Sequence, residues 1–472
     1  MLGQSEYGLY SIVSAIIGYL TVLDLGFGNA IVVYTAKYRA KGENEKEQNL
    51  YGMFIIIFIL IGVVATILGA FLYFNVENLF HITMTLEEIS KAKIMMLILT
   101  FNLAITFPFS IFSSIITAYE KFVFQKVVAI LRNILMPIIM IPLLFMGFKA
   151  ISMTIVLTVL NILMLFSNTI YCFKKLKIKI RYGFFDKFLF KEIFAYSIFI
   201  FLNVVIDKVN WSLDNFILGA VSGTAAAALY GVASQFNTIY LNFSTAISGV
   251  LLPKISKMVA NGEGDKEISD LFIKTGRLQY LIMGLVITGF VLFGKSFIIL
   301  LFGNDYETSY YIACILMIPV TIPLIQNVAI SILQAKNMHK FRSILYICMA
   351  AINIIISIPL ARLYGGIGSA IGTSISLILG NGITMNIYYH KKAGLNIISF
   401  WKQILIMTIP ISIIFFASLF ILMKINTINW LVLILGIIIY SIIYSIISFF
   451  FMMNNYERKL IFNPINKILK NI

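Results

Sequence analysis

Long apolar runs separated by short polar stretches dominate the pattern of this chain. The runs have 18 or more residues, enough at 1.5 Å per residue to cross a ~30 Å hydrocarbon layer as a helix. The alternating pattern of an outer-membrane barrel is absent, so the chain is predicted to be an all-α integral membrane protein. Thirteen membrane helices are predicted, at about residues 8–34, 50–74, 94–118, 123–147, 150–173, 192–218, 226–252, 278–301, 310–333, 342–361, 366–388, 401–422 and 430–453.

Composition and charge agree with a membrane protein and indicate its topology. Of 472 residues, 60% are hydrophobic and 12% are charged, and the net charge is +16. If the loop after the first helix is cytoplasmic, the basic residues concentrate in the inside loops: residues 174–191 contain seven, whereas the outside segment 219–225 contains none. This is the positive-inside rule. The charge therefore reflects topology and attraction to anionic lipids, and nucleic acid is not an expected partner.

The chain matches itself without gaps at an offset of 220 residues. LYSIVS at 9–14 aligns with LYGVAS at 229–234, and KYRAKGENEKE at 37–47 aligns with KMVANGEGDKE at 257–267. Six predicted helices separate the starts of the copies, so the copies have the same orientation, as in the parallel repeats of two-lobed secondary transporters. The second copy follows a helix that ends near Gly223, whereas Gly3 in the first copy has no helix before it. We therefore expect this N-terminus to lack a first helix.

The repeat and the basic loop together predict five regions. These are a bundle of five helices lacking its first (1–173), a basic cytoplasmic linker (174–191), a second bundle of six helices (192–390), an additional helix pair (391–453) and a cytoplasmic tail (454–472).

Three segments carry a resemblance to a known family. They are LGQSEYGLYSIVSAIIGYLTVLDLGFGNAIVVYTAKYRAKGE from Leu2, LDNFILGAVSGTAAAALYGVASQFNTIY from Leu213 and GVLLPKISKM from Gly249. They resemble the oligosaccharide flippases that export lipid-linked O-antigen and capsule repeat units, in the superfamily shared with multidrug extruders and the lipid II flippase. LDLGFGNA, from Leu23, is the most specific part. The resemblance implies two six-helix bundles forming a V, with an extra C-terminal helix pair in some members. A basic residue is frequent around Val33 in that family, and this chain has none before Lys37.

Polar residues interrupt the predicted helix at 192–218. Asn203, Asp207, Asn210 and Asp214 are spaced by four, three and four, so they share one helix face, and Lys208 lies about 100° from Asp207. A charge at the bilayer centre costs ~2.5 to 3.5 kcal/mol, so this face is predicted to line a cavity. Asp207 lies at ~22 Å from the inner helix end. Asp214 lies at ~33 Å, close to the outer surface, where a solvated helix end or a structural pair is the alternative.

Two further charges fall inside the first bundle. Arg132 lies ~13 Å from the inner end of its helix, where it either holds a pyrophosphate through paired hydrogen bonds or snorkels to the inner interface. Asp24 either titrates, coordinates sodium or pairs with a cation, or it caps a kink beside Gly26 and Gly28. Uncharged polar rows favour interhelical hydrogen bonding instead. One row comprises Asn102, Thr106, Ser110, Ser113 and Thr117, and another comprises Gln235, Thr238 and Asn242.

The leading hypothesis is a flippase that moves undecaprenyl-pyrophosphate-linked oligosaccharide across the bacterial inner membrane by alternating access. Its C-terminus is expected in the cytoplasm. Expected partners are membrane lipids, a coupling proton or sodium ion, and polysaccharide polymerase and chain-length proteins, with no cofactor, metal site or catalytic residue. Candidate roles are phosphate contact for Arg132 and Lys208, sugar contact for Asn203, Asn210 and Gln235, and charge balance or ion coupling for Asp207, Asp24 and Asp214.

Two other hypotheses differ in chemistry. An ion-coupled drug or toxin antiporter of the same fold usually carries cations and would favour an acidic cavity without arginine, whereas the intramembrane charges here are mixed. A membrane polysaccharide polymerase or glycosyltransferase usually carries a large outer loop with catalytic residues. The longest predicted outer loop, about residues 75–93, is short and has no paired-aspartate motif, and GEGDKE at 262–267 lacks the ending of a nucleotide-binding P-loop.

Overall fold

A computed structural model describes residues 3–183, 186–248, 255, 258, 263–336, 338–425 and 427–459. Within these ranges it does not describe the side chains at 195, 196, 199, 200, 202–204, 206–212, 246–248 and 339. The described chain is helical and contains no strand. Its α-helices are α1 Gln4–Leu20, α2 Phe27–Ala40, α3 Asn44–Phe80, α4 Leu86–Ala118, α5 Phe122–Phe145, α6 Ala150–Lys174, α7 Lys187–Val221, α8 Gly223–Ser248, α9 Asp265–Phe302, α10 Glu307–Ile325, α11 Val328–Ala335, α12 His339–Leu377, α13 Met385–Lys391, α14 Ile397–Leu422 and α15 Trp430–Ile447.

Ten helical segments of the described residues are long and apolar enough to cross a membrane, so the predicted count of thirteen is not confirmed. The helices predicted at 342–361 and 366–388 both lie within one of these ten segments, Lys340–Lys391, and they meet at Gly365, whose φ of 56° lies outside the helical region. The Tyr346 hydroxyl donates to Asn381 Oδ1 at 3.0 Å and the Ser357 hydroxyl to the Ser369 carbonyl oxygen at 3.3 Å, so the two helices pack side by side, and the second contains a π-helical turn at Ile378–Thr384. The class itself, an all-α membrane protein, is confirmed.

The chain forms two compact units, one ending at Ala228 and the other beginning at Leu229. In the first unit, α4 packs along α3 and α6, and α1 packs against α4 and α7. Helix α7 belongs here because it packs tightly on α1: a Cβ on Gly219 would lie 2.8 Å from the Ile12 side chain. The compact units therefore divide after Ala228 rather than within the predicted linker at 174–191, and the five predicted regions stay a prediction.

In the second unit, α9 is the central helix. It packs against α10, α14 and α15, so the additional C-terminal helix pair, α14 and α15, is attached directly to this unit. The helix predicted at 310–333 is interrupted at Gln326 and Asn327, where α10 gives way to α11, and Pro319 and Pro323 precede the interruption.

Helix bounds recur between the two units, as the sequence repeat predicts. The starts of α3 and α9 (44 and 265) and of α4 and α10 (86 and 307) are both 221 residues apart, and α3 and α9 have 37 and 38 residues. Gly3 and Gly223 both have a left-handed φ, 74° and 86°, at the starts of α1 and α8. The repeat is therefore visible in local structure as well as in sequence.

Candidate substrate-binding face of the first unit

Helix α1 has two faces of different character. One face is buried in the first unit and is mostly apolar, with Leu9, Ile12 and Ile16 at its centre. The other is half-exposed and polar, and we call it the polar face of α1. It comprises Tyr7, Tyr10, Ser11, Ser14 and Gly18.

The polar face differs from the exposed surface of α3 in the same unit. The exposed α3 residues are large and apolar, as Leu60, Ile67 and Phe71 illustrate, with 60%, 62% and 63% of their surfaces exposed. Such residues suit contact with hydrocarbon, whereas tyrosine and serine hydroxyls in a membrane turn towards protein or water. The polar face of α1 is therefore a better candidate for contact with a polar ligand than the exposed surface of α3.

Charged contacts near its N-terminus hold α1 in this orientation. Glu6 is 8% exposed, and its carboxylate accepts hydrogen bonds from Lys91 Nζ at 2.5 Å and from the Ala150 backbone amide at 3.2 Å. Ser5 and Thr224 donate to the Glu88 carboxylate at 2.6 and 2.8 Å. These contacts join α1 to α4, α6 and the start of α8, so they fix the rotation of α1 about its axis.

Arg132 of α5 lies near the polar face of α1. Its charge acts on the Tyr10 hydroxyl, its side chain is half-exposed, and it takes part in none of the ion pairs among the described residues. Arg132 lies ~15 Å along α5 from the first residue of that helix, Phe122, and Tyr10 lies ~9 Å along α1 from its first residue, Gln4. Phosphate contact and snorkelling, the two roles considered for Arg132 from sequence, stay predictions.

Asp24 lies where the helix predicted at 8–34 is broken. A 3₁₀ turn at Thr21–Asp24 leads into Leu25 and Gly26, which have left-handed φ values of 53° and 75°, and α2 follows. The half-exposed Asp24 carboxylate lies beside the start of α2, where its oxygens would be 3.7 and 3.8 Å from a Cβ on Gly28. This position suits capping of the kink, and both roles considered for Asp24 from sequence stay predictions.

Asp214 of α7 is 2% exposed, so the alternative of a solvated helix end was wrong for this residue. It lies within electrostatic range of Tyr19 on α1. The physical reason is that α7 packs against α1 along this stretch. The prediction of a solvated end used only the position of Asp214 along its helix, and that position does not determine how exposed the side chain is.

The remaining candidates are spread over the chain. The side chains of Asn203, Asp207, Lys208 and Asn210 lie outside the described residues, so their roles stay predictions. Gln235 is exposed and belongs to the second unit. The structure thus brings Arg132 to α1 but does not show a site shared by all eight candidates.

The predicted polar row on α4 does form interhelical hydrogen bonds. Asn161 of α6 donates to Asn102 and Thr106 at 2.8 Å each, and Gln125 of α5 donates to the Ser113 carbonyl oxygen at 2.7 Å and to Thr117 at 3.0 Å. These bonds fix α5, and hence Arg132, to the rest of the first unit.

Sequence reasoning missed the polar face of α1. The signal was present, because tyrosine and serine recur at 7, 10, 11 and 14, which is the three-to-four spacing of one helix face. The helix predicted at 8–34 leaves Tyr7 outside, so the prediction does not include the first residue of this stripe.

Comparisons with known proteins were made for both sequence and fold. The family described as polysaccharide biosynthesis protein matches residues 1–259. A putative O-antigen transporter of Shigella flexneri is 22% identical over 388 residues, which cover 80% of this chain and 88% of that protein.

Solved structures with a similar fold include two transporters. The lipid II flippase MurJ, in an inward closed conformation, has a TM-score of 0.73 and 22% identity, with 94% of this chain and 93% of that chain covered. An inward-facing multidrug resistance transporter of the MATE family has a TM-score of 0.64 and 13% identity, with 83% and 97% covered. At these identities the likeness establishes the fold.

Proposed function

The chain belongs to the polysaccharide biosynthesis protein family, and from that premise we propose that it is a flippase for undecaprenyl-pyrophosphate-linked oligosaccharide repeat units. It is a multi-pass membrane protein with the fold of known flippases and transporters. The proposed location is the bacterial inner membrane with the C-terminus in the cytoplasm, and the proposed product is O-antigen, capsule or exopolysaccharide. The proposed mechanism is alternating access.

One observation carries this proposal: an arginine without a carboxylate partner among the described residues lies within electrostatic range of Tyr10 on the polar face of α1. A glycan and two phosphates cannot cross ~30 Å of hydrocarbon unless polar groups replace their water. Arg132 supplies a planar, permanently charged donor that suits a diphosphate. The hydroxyls of the polar face supply donors and acceptors for sugars.

The other candidate residues take the roles predicted for them. Lys208 adds a second phosphate contact, and Asn203, Asn210 and Gln235 contact sugars. Asp207, Asp24 and Asp214 balance these cations or carry a coupling proton or sodium ion. Lipid-linked oligosaccharide, membrane lipids, and polymerase and chain-length proteins are the proposed partners.

Loss of Arg132 tests the proposal. In a bacterial strain without its own flippase, the wild-type chain is expected to restore surface polysaccharide, and Arg132→Ala is expected to lower it about tenfold or more, because hydrogen bonds to a charged group contribute ~1.5 to 3 kcal/mol. Arg132→Lys should restore part of the activity. Lys126→Ala is the matched control, because Lys126 is an exposed cation on the same helix. Normal polysaccharide levels with Arg132→Ala, at equal abundance in the membrane, would refute the phosphate-binding role.

Asp24 allows a separate test of ion coupling. Asp24→Asn keeps one oxygen to accept hydrogen bonds from the start of α2 but cannot titrate. If Asp24 carries the coupling proton, transport by this variant in proteoliposomes should no longer respond to a pH gradient, while the wild type should. An unchanged response would remove Asp24 from the coupling mechanism.

An ion-coupled drug or toxin antiporter is the second candidate, because the fold is also that of a multidrug transporter. Cationic cargo fits poorly beside the guanidinium of Arg132. The same strains can be tested for export of cationic dyes. Dye export without any restored polysaccharide would favour the antiporter over the flippase.

A further inference from the structure

We propose that Tyr7 and Tyr10 form an aromatic platform for the sugar that is bonded directly to the substrate diphosphate. This inference rests on the proposed flippase function and names the residues that contact one part of its substrate. Its basis is the position of the two rings on α1, next to Arg132.

The two rings form a pair on one side of α1. Their centroids are 6.4 Å apart with an interplanar angle of 36°, and the residues are separated by about one helical turn. Both side chains are half-exposed, while the packing contacts of α1 lie on its opposite face. The rings are therefore held by the helix, and part of each remains accessible.

An interfacial aromatic belt would be the ordinary role for tyrosines near a membrane surface. Belt residues stand on surfaces that face lipid, and such surfaces are apolar, as α3 illustrates. The neighbours of Tyr7 and Tyr10 on the same face are Ser11 and Ser14 instead. Small hydroxyl side chains also leave open space beside the rings, which a bulky ligand requires.

The chemistry of a sugar suits this surface. A tyrosine ring offers an apolar, electron-rich face to the C–H groups of a pyranose, and its hydroxyl can exchange hydrogen bonds with the sugar hydroxyls. Ser11 adds a further hydroxyl alongside. Arg132 lies within electrostatic range of Tyr10, so a diphosphate held by Arg132 would bring its attached sugar to the part of α1 that carries the two rings. The platform should therefore recognise the first sugar, whatever sugars follow it.

Two fluorescent probes separate the sugar contact from the phosphate contact. One is polyprenyl diphosphate alone, and the other is polyprenyl diphosphate carrying a single hexose. Transport of each is measured in proteoliposomes that contain the full chain. Tyr10→Leu is expected to slow the sugar-bearing probe roughly three- to tenfold and to leave the sugar-free probe unchanged. Tyr7→Leu should act in the same direction, and Tyr10→Phe, which keeps the ring, should have a smaller effect. Arg132→Ala should slow both probes.

Tyr73→Leu is the matched control, because Tyr73 is a half-exposed tyrosine on α3, paired with Phe74 at 5.3 Å, and no substrate contact is proposed for it. It should leave both probes unaffected. If the wild-type chain moves both probes and Tyr10→Leu either moves the sugar-bearing probe normally or slows both probes equally, the platform is refuted while the flippase stands. If the wild-type chain moves neither probe, the proposed function itself fails.

Discussion

Helices α3 and α9 begin 221 residues apart, have almost the same length and differ in what covers them. On α3, one stripe is apolar and open, with 45% to 62% of each side chain exposed. With the two helices aligned at their first residues, 44 and 265, the residues of α9 at the equivalent positions are covered by the C-terminal helix pair, and most of them make polar contacts with the C-terminal segment. The α3 stripe is Ile56, Ile59, Leu60, Val63 and Ile67, and its α9 counterparts are Arg277, Tyr280, Leu281, Gly284 and Thr288.

The α9 stripe is bound to the pair along its length. Tyr280 and Thr408 of α14 share a hydrogen bond of 2.6 Å. The hydroxyl of Tyr444 donates to the Leu281 carbonyl oxygen at 2.9 Å. The side chains of the α3 stripe are all apolar and can face lipid. The α9 stripe includes a guanidinium and hydroxyl groups, to which lipid tails offer no hydrogen bonds. The difference between the two repeats therefore shows where on α9 the extra helix pair docks.

The largest expected effect comes from the first residue of the α9 stripe, Arg277. The Arg277 guanidinium donates to both carboxylate oxygens of Glu457, at 2.7 and 2.9 Å, and to the Met452 carbonyl oxygen at 2.8 Å. The side chains are 9% and 0% exposed. Glu457→Ala should therefore lower the free energy of unfolding by about 3 to 5 kcal/mol, because it leaves a buried charge without its partner. Thermal unfolding in detergent measures the loss.

An exposed ion pair provides the control for this prediction. Glu43 and Lys46 lie 3.1 Å apart with 32% and 63% of their side chains exposed, so Lys46→Ala should cost at most about 1 kcal/mol. The double variant Arg277→Met, Glu457→Leu should recover much of the lost stability, since it removes both charges together. If Glu457→Ala is no more harmful than Lys46→Ala, the ion pair does not hold the C-terminal segment.

Sequence reasoning anticipated an additional helix pair but not its attachment to α9. Arg277 falls one residue before the helix predicted at 278–301, where the positive-inside rule treats an arginine as a solvated loop residue. Its partner Glu457 lies 180 residues away, in the segment expected to be a cytoplasmic tail. No local pattern connects two such residues, because their pairing exists only after the helices have packed.

The candidate site likewise has some features that the sequence of a single helix predicts and others that depend on how the helices pack. Periodicity correctly predicted that the α4 row, including Asn102 and Thr106, would bond to other helices, because spacing on one helix determines which residues share a face. Depth along α7 did not predict the burial of Asp214, since burial depends on which helix packs against it. The association of Arg132 with Tyr10 likewise required the arrangement of α1 and α5.

An intermediate effect is expected at Gly284, where α9 lies close to both helices of the pair. A Cβ on Gly284 would lie 2.7 Å from the Tyr444 hydroxyl oxygen and 3.1 Å from the Ile411 side chain. Gly284→Val, which introduces the residue that α3 carries at the equivalent position, should cost about 1 to 3 kcal/mol of stability through overpacking. Val63→Leu adds volume on the open stripe and should change stability by no more than about 0.5 kcal/mol. Equal costs at the two positions, measured as shifts in the unfolding midpoint, would contradict the conclusion that the helix pair covers the α9 stripe while the α3 stripe is open.

The smallest expected effect concerns the hydroxyl of Tyr440, which contacts the last residue of the α9 stripe, Thr288. The Tyr440 hydroxyl donates to Thr288 Oγ1 at 2.6 Å, and Thr288 in turn donates to the Gly284 carbonyl oxygen at 2.6 Å. Tyr440→Phe keeps the ring and removes one interhelical hydrogen bond, so the free energy of unfolding should fall by about 0.5 to 1.5 kcal/mol.

Ser445 of α15 is the matched position for that measurement, because its exposed hydroxyl donates only to the Ser441 carbonyl oxygen of its own helix. Ser445→Ala should therefore leave stability within about 0.5 kcal/mol of the wild type. Combining Tyr440→Phe with Thr288→Val should cost less than the sum of the two single changes, since both remove the same bond. Strictly additive costs would mean that the bond does not contribute to holding α15 on α9, and that apolar packing alone distinguishes this part of the stripe from its counterpart on α3.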